Sequence, residues 1–295
     1  MSLFTARSAP GWSLLAVALA GALAGVVALR STGPSHATAG PFIDQTVLDR
    51  RTTDCSAVAP GTASFFCEET PDPVVAVIGD SHAQPLFYGL IDAAGAPYNR
   101  AVVVGAGGCP VTSGREERPG CTRALAAELA YVRDHPTVTT VVVAEYFGNV
   151  SPDVPERKPD VMLPAYGATL DALRAMGKRL VWVIDNPALK ESPDSCVPSP
   201  LPLREVFRSS KPSCYVAEPA DLLDQGFYRS VVGELRRRNP DVLFFDTWPV
   251  LCPDGPCRVS IHGDVLYRDA NHLSVWASRM VAVDLARWLP HAVRG

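Results

Sequence analysis

Val74-Val75-Ala76-Val77-Ile78-Gly79-Asp80-Ser81-His82 decides the fold. Five apolar residues, four of them β-branched, run straight into Gly-Asp-Ser-His. A continuous apolar run of this kind reads as a strand buried on both faces, as in a parallel sheet. Gly79 can take the backbone conformation of a tight turn. Residues 84–94 follow with helical spacing, Leu86, Leu90 and Ile91 on one side. Ser81 therefore stands where a buried strand turns into a helix. Its hydroxyl is expected at the carboxyl end of the sheet, beside backbone N–H groups that can hold an anion.

A serine there is a nucleophile only where a base reaches it. Tyr267-Arg268-Asp269-Ala270-Asn271-His272-Leu273-Ser274 offers one. Asp269 and His272 are three residues apart, a spacing that one helical turn or tight loop brings onto the same side. The carboxylate can then fix the imidazole tautomer while the other ring nitrogen faces Ser81. The competing role for Ser81 is a helix N-cap, since Asp-Ser is common there.

Outward from these two motifs the chain alternates strand and helix. Strands are expected at 74–78, 101–104, 138–144, 179–184 and 242–245. Helices are expected at 84–94, 122–134, 165–176, 219–238 and 273–288. Residues 252–266 read as an excursion with a tight turn and a hairpin. Alternation of this kind implies a parallel sheet between two helical layers, a three-layer α/β/α sandwich with five parallel strands of flavodoxin-like type. No Gly-x-Gly-x-x-Gly fingerprint occurs, so nucleotide binding is not supported, and no cofactor is expected. The Pro-rich stretch 186–219 is too long for an ordinary loop and reads as a lid or pocket wall.

In such a sheet ligands bind where the carboxyl ends of the strands gather. Ser81 follows the first strand, and Gly107 and Gly108 follow the second. Glu145, Tyr146 and Asn149 follow the third, Asp185 and Asn186 the fourth, and Asp246 to Trp248 the fifth. Asp269 and His272 come just before the last helix. The candidate catalytic set is Ser81, His272 and Asp269. The candidate oxyanion donors are the backbone N–H groups of Ser81, Gly107 and Gly108. Asp80, His82, Tyr146 and Asn186 are candidate pocket residues, with Asp80 expected to tie the turn together rather than to move protons.

These motifs, in this order, resemble the SGNH (GDSL-like) hydrolase family. The likeness is greatest to the extracytoplasmic SGNH domains that accompany acyltransferase-3 membrane proteins in O-acetylation of bacterial surface glycans. Those domains carry Gly-Asp-Ser-His after the first strand, as at Gly79 to His82, and end in Tyr-Arg-Asp…His-Leu-Ser, as at Tyr267 to Ser274. One of their cysteines lies in a Gly-Cys-Pro turn like Gly108-Cys109-Pro110. The resemblance implies serine-dependent acyl transfer or ester hydrolysis on a carbohydrate. It also implies a glycan acceptor and an acyltransferase-3 membrane protein as acyl donor. The alternatives are a free-standing carbohydrate acetylesterase and a non-catalytic glycan-binding domain of the same fold. The family's side-chain oxyanion donor is an asparagine in Gly-x-Asn-Asp after the third strand. Here Gly148-Asn149 is offset and lacks the Asp, so Asn149 is a candidate donor or a plain loop residue. An α/β-hydrolase is set aside, because Gly79-x-Ser81 lacks the final glycine of Gly-x-Ser-x-Gly and that fold does not place its Asp three residues before its His.

Composition agrees with a globular domain outside the cytoplasm. Of 295 residues, 47% are hydrophobic and 20% charged. Residues 40–295 carry 25 basic against 31 acidic residues, a net −6, which argues against a nucleic-acid partner. The eight cysteines fall into close pairs, Cys55–Cys67, Cys109–Cys121, Cys196–Cys214 and Cys252–Cys257. None forms Cys-x-x-Cys, so no structural metal is expected. Local pairing implies four disulfides and an oxidising compartment. Gly11 to Leu29 runs 19 residues without a charge, long enough to span a bilayer. Ala37-Thr38-Ala39 also fits a signal-peptide cleavage pattern. The expected organisation is 1–39 as membrane anchor or signal peptide, 40–72 as tether and small disulfide-bridged flap, and 73–295 as catalytic domain.

Overall fold

The computed structural model describes residues 64–113, 119–193, 216–262 and 264–292. The expected N-terminal anchor or signal, most of the tether, Cys55 and the Cys196–Cys214 pair lie outside the described residues. Among the described residues no helix is long and apolar enough to cross a membrane.

The core is one six-stranded sheet. Its strands are β1 (Ser64–Glu68), β2 (Val75–Gly79), β3 (Ala101–Ala106), β4 (Thr140–Ala144), β5 (Arg179–Ile184) and β6 (Leu243–Asp246), in the order β1-β3-β2-β4-β5-β6. The five strands from β2 onward are parallel, and all residues of β2, β3 and β4 are buried. Two-sided burial is why these segments are apolar without alternation.

Residues 64–68 lie in the stretch expected as tether and flap. They form β1, which pairs antiparallel with β3 as the outer strand, Ser64 opposite Ala106. The sheet therefore holds the five expected parallel strands and this antiparallel edge strand. The run Ser-Phe-Phe-Cys-Glu is short and follows a Thr- and Gly-containing stretch, so its strand character comes from the partner edge that β3 offers. Cys67, on this strand, is disulfide-bonded.

Helices α1 (Ala83–Ala93), α2 (Pro119–Asp134), α3 (Pro159–Ala175), α4 (Gly226–Arg238) and α5 (Val275–Ala292) cover both faces. Successive strand side chains point to opposite faces. Val75 and Val77 join a cluster with Leu86, Phe87 and Leu90 of α1 and Val281 and Leu285 of α5. Ala76 and Ile78 join the other, with Val132 of α2, Leu170 and Leu173 of α3 and Val232 and Leu235 of α4. The result is a three-layer α/β/α sandwich.

Two helix starts differ from expectation by six residues or more. Helix α3 begins at Pro159, six residues before the expected 165. Proline suits the first turn, where its missing N–H would have no partner anyway, and Pro164 is accommodated inside the helix. The long helix expected over 219–238 is broken. Pro219–Asp221 is a 3-10 turn, and Leu222 then bridges to Leu189 as an antiparallel pair. The helix proper starts only at Gly226, whose N–H donates to the Asp224 side chain at 2.8 Å. The 252–266 excursion contains the expected hairpin, Ser260–Ile261 against Asp264–Val265.

Candidate active site

Register builds the site. Gly79 of β2 lies opposite Gly105 of β3 and Ala144 of β4, and Ala144 lies opposite Val183 of β5. Val183 in turn faces Phe245 of β6. Two residues beyond this row come Ser81, Gly107, Tyr146, Asp185 and Thr247. Parallel pairing thus brings five loops level at one edge, where the backbone turns away and side chains are free to converge.

Ser81 is partly exposed in the turn between β2 and α1. Its Oγ lies 2.7 Å from His272 Nε2. His272 Nδ1 lies 2.8 and 3.0 Å from the two carboxylate oxygens of Asp269. With Nδ1 facing a carboxylate, the proton sits on Nδ1, and Nε2 is left as the acceptor for the serine hydroxyl. Ser81 does not cap α1; His82 occupies the cap position, without a side-chain cap bond.

The loop carrying Asp269 and His272 closes on itself and is tied to β5. Arg268 N–H donates to His272 C=O at 2.9 Å, and Tyr267 bridges to Leu273. Asn186 donates its side-chain N–H to Asn271 C=O at 2.9 Å, and Leu189 N–H donates to Ala270 C=O at 2.7 Å. Asn186 is buried and acts here as a strut between the β5 loop and the His272 loop. Asp269 Oδ1 also accepts the backbone N–H groups of Asn271 and His272 at 3.0 and 2.8 Å. Partial burial would raise the Asp269 pKa. The hydrogen bonds from the His272 ring and from these two N–H groups outweigh it and hold the carboxyl well below the usual range.

Asp80 is 1% exposed and accepts three hydrogen bonds, from His82 N–H, Tyr146 N–H and the Asn149 side chain. It ties the Ser81 turn to the loop after β4. Asp185 does the same from the other side, accepting His82 Nδ1–H and Asn186 N–H on one oxygen and Phe147 N–H on the other. The Tyr146 ring is half-buried against the His82 ring, centroids 5.1 Å apart. Gly107 and Gly108 are exposed at the end of β3, and Gly108 has a φ of +68°. Cys109–Cys121 ties this turn to α2, and Cys252–Cys257 closes the turn after β6.

Two buried acids lie behind the site, Glu145, read from sequence only as a residue after the third strand, and Glu128, not singled out. Glu145 accepts Val111 N–H at 3.1 Å and the Tyr166 hydroxyl. Burial first, then the Asp80 charge, pushes its carboxyl up to about 8. Glu128 of α2 is also buried, with its carboxyl raised well above the usual range by burial and by the charges of Asp80 and Glu145. Asp185, the partner of His82, was recognisable only as one acid among several after strands. Among the described residues no group of three or more His, Cys, Asp or Glu side chains is arranged to hold a metal ion.

Residues 49–287 match the model of the SGNH domain family, described as fused to AT3 domains. The chain belongs to the SGNH domain family. Solved structures with this fold include the periplasmic domain of a Salmonella ser. Paratyphi A lipopolysaccharide acetyltransferase. It is 15% identical with a TM-score of 0.57, over 75% of this chain and 85% of that one. Est24, a carbohydrate acetylesterase from Sinorhizobium meliloti, is 12% identical with a TM-score of 0.46, over 74% and 99% of the two chains. No curated protein matches the chain by sequence.

Proposed function

We propose that this SGNH domain transfers an acyl group, acetyl, to or from an extracytoplasmic carbohydrate through a covalent intermediate on Ser81. The observation that carries the reading is the relay from Ser81 Oγ to His272 Nε2 at 2.7 Å, with Asp269 behind Nδ1 at 2.8 Å. His272 takes the Ser81 proton as Oγ attacks the ester carbonyl carbon, and Asp269 stabilises the imidazolium. The C–O bond to the leaving alcohol breaks as His272 returns the proton to that oxygen. The acyl group then rests on Ser81. An incoming hydroxyl, from a sugar or from water, gives its proton to His272 as it attacks the acyl carbon, and His272 passes that proton to Ser81 Oγ as the bond from Oγ to the acyl carbon breaks. Negative charge on the carbonyl oxygen meets the backbone N–H groups of Ser81 and of Gly107 or Gly108. The second side-chain N–H of Asn149 joins them, its first being held by Asp80. Each such donor lowers the barrier by about 3 kcal/mol.

Transfer to a glycan is favoured over hydrolysis by the family's association with AT3 domains. A membrane acyltransferase of that kind would be the acyl donor. The apolar segment at residues 11–29 would hold the domain at the membrane. The disulfides Cys109–Cys121 and Cys252–Cys257 support an oxidising compartment.

The test is p-nitrophenyl acetate turnover by the full chain in detergent, for the parent and Ser81→Ala. Ser81-dependent turnover supports the reading, and candidate sugars can then compete with water for the acyl group. Turnover that survives in Ser81→Ala would sink it. Glycan retention without turnover, unchanged in Ser81→Ala, would point to the binding domain instead.

A further inference from the structure

Glu145 follows Ala144 of β4, which lies opposite Gly79 of β2. Successive residues of a strand face opposite ways. Val143 belongs to the cluster with α2 and α3, and Ala144 to the cluster with α1 and α5. Glu145 continues the alternation and turns toward α2 and α3. It is buried there, 1% exposed. One carboxyl oxygen accepts the Val111 N–H at 3.1 Å, and the other accepts the Tyr166 hydroxyl. Tyr166 comes from α3 and is itself fixed, its ring edge-on to Trp182 with centroids 5.0 Å apart. The Glu145 carboxyl is thus held from behind by Tyr166 while it holds Val111 in front.

The segment it holds crosses the end of the strand that leads to Ser81. Gly107 and Gly108 lie in a turn that Cys109 N–H closes on the Ala106 carbonyl at 3.0 Å. The chain leaves the sheet at the end of β3. In the sheet order β3 and β4 flank β2. A segment that starts on β3 and is caught at Val111 by a side chain of β4 therefore spans β2. The other ties on this loop run to helices. Cys109–Cys121 joins it to α2, and Ser113 N–H meets Ala165 C=O at 3.2 Å and Thr169 Oγ1 at 3.0 Å in α3. Among these ties, Glu145 alone refers the loop to a strand paired with β2.

We propose that Glu145 is a positioning residue: by holding Val111 N–H it pins the 107–111 segment across the end of β2 and so aims the Gly107–Gly108 turn at the carbonyl oxygen of an ester on Ser81. This rests on the Ser81 reaction proposed above and deepens it. Val111 is 1% exposed, so without an acceptor its N–H must either stay buried and unpaired or carry the segment toward water. The turn would move with it. Donors in such a turn meet full negative charge only as the carbonyl is attacked, so their displacement lowers kcat and leaves KM nearly unchanged. A Glu145 that served stability alone would leave kcat per folded chain as it is.

The experiment measures kcat and KM for p-nitrophenyl acetate with the full chain in detergent, at a temperature where near-UV circular dichroism shows each protein folded. Glu145→Met keeps a side chain of similar length and loses the strong acceptor. Glu145→Gln keeps a carbonyl for Val111 N–H and an amide for the Tyr166 oxygen. The methionine variant should lose at least about 10-fold in kcat with KM within about twofold of the parent, and glutamine should recover most of that loss. Parental kcat in Glu145→Met overturns the proposal. So does a change confined to KM, or a loss in Glu145→Gln as large as in Glu145→Met. Where Glu145→Met does not fold, Tyr166→Phe decides. It removes only the hydroxyl behind the carboxyl and should lower kcat in the same sense, and parental kcat there overturns the proposal. The catalytic reading fails separately, by turnover that survives in Ser81→Ala. Ser81-dependent turnover that ignores Glu145 removes only the role assigned to Glu145.

Discussion

Asn149 donates its side-chain N–H to Asp80 Oδ2 at 2.9 Å, across 69 residues of sequence. Both groups are buried, and the same oxygen accepts the Tyr146 N–H at 2.9 Å. A carboxylate taken out of water needs its lone pairs filled, and Asp80 has three donors. The Ser81 turn and the β4 loop are therefore one unit, with Asp80 as its centre and Asn149 as one of its anchors.

Asn149→Ala removes a donor from a buried charge. Hydrogen bonds to charged groups contribute about 1.5–3 kcal/mol, so the variant should unfold at lower urea by that amount. Its kcat should also fall, by about 100-fold, because the second N–H of the same amide is a proposed oxyanion donor. Urea melts and kcat, measured together, separate the two roles. Lost stability with unchanged kcat would leave Asn149 as an anchor only.

Glu145→Gln tests the acid behind the site. The Glu145 carboxyl is raised to about 8 in the folded chain, by burial above all, against an ordinary value of 4.5. Between those values the folded state keeps a proton that the unfolded chain has lost. Stability must then fall as pH rises through this window, and level off above it. Glutamine carries no charge, and its oxygen and nitrogen can meet Val111 N–H and the Tyr166 oxygen in turn. The variant should lose much of the decline in thermal stability from pH 5 to 8 and be the more stable protein at pH 8. Glu128 titrates in the same sense and leaves a residual slope. Parallel pH curves for parent and variant would show that Glu145 does not carry the effect.

The parts of this architecture that could be read from sequence are those where one physical demand dominates. Strands β2 to β6 are buried on both faces, and a run such as Val141-Val142-Val143 admits little else. Ser81 was legible because a polar motif interrupts an apolar strand at its carboxyl end, and the Asp269–His272 pair because a spacing of three residues brings both onto one side. Strand β1 was not, since five residues in a Pro- and Gly-rich neighbourhood become a strand only where β3 offers a free edge. The start of α4 was hidden for a similar reason. Leu222 is spent on a bridge to Leu189, a tertiary pairing that local helical spacing does not reveal. Asp185 is the clearest case in the site. An acid after a strand is ordinary, and only the register placing it level with Ser81, together with the His82 ring, shows what it holds.

Gly79→Ala probes the closest approach in the site. Gly79 has a φ of +145°, a region that side chains other than hydrogen rarely occupy. A Cβ built there would lie 1.9 Å from the Ala144 carbonyl oxygen, which is backbone and cannot rotate away. Alanine must therefore either separate β2 from β4 at their carboxyl ends or flip the turn. Each response drags Asp80 from Tyr146 N–H and Asn149, and Ser81 Oγ from His272 Nε2. The loss should exceed about 4 kcal/mol, in the range reserved for buried strain, and should surpass that of Asn149→Ala. Urea melts of the two variants side by side give the comparison, and any folded Gly79→Ala protein should show turnover reduced far more than its population of folded chain. An alanine variant with parental stability and parental kcat would mean that the turn is not confined by Ala144, and the register argument for the placement of Ser81 would have to be abandoned.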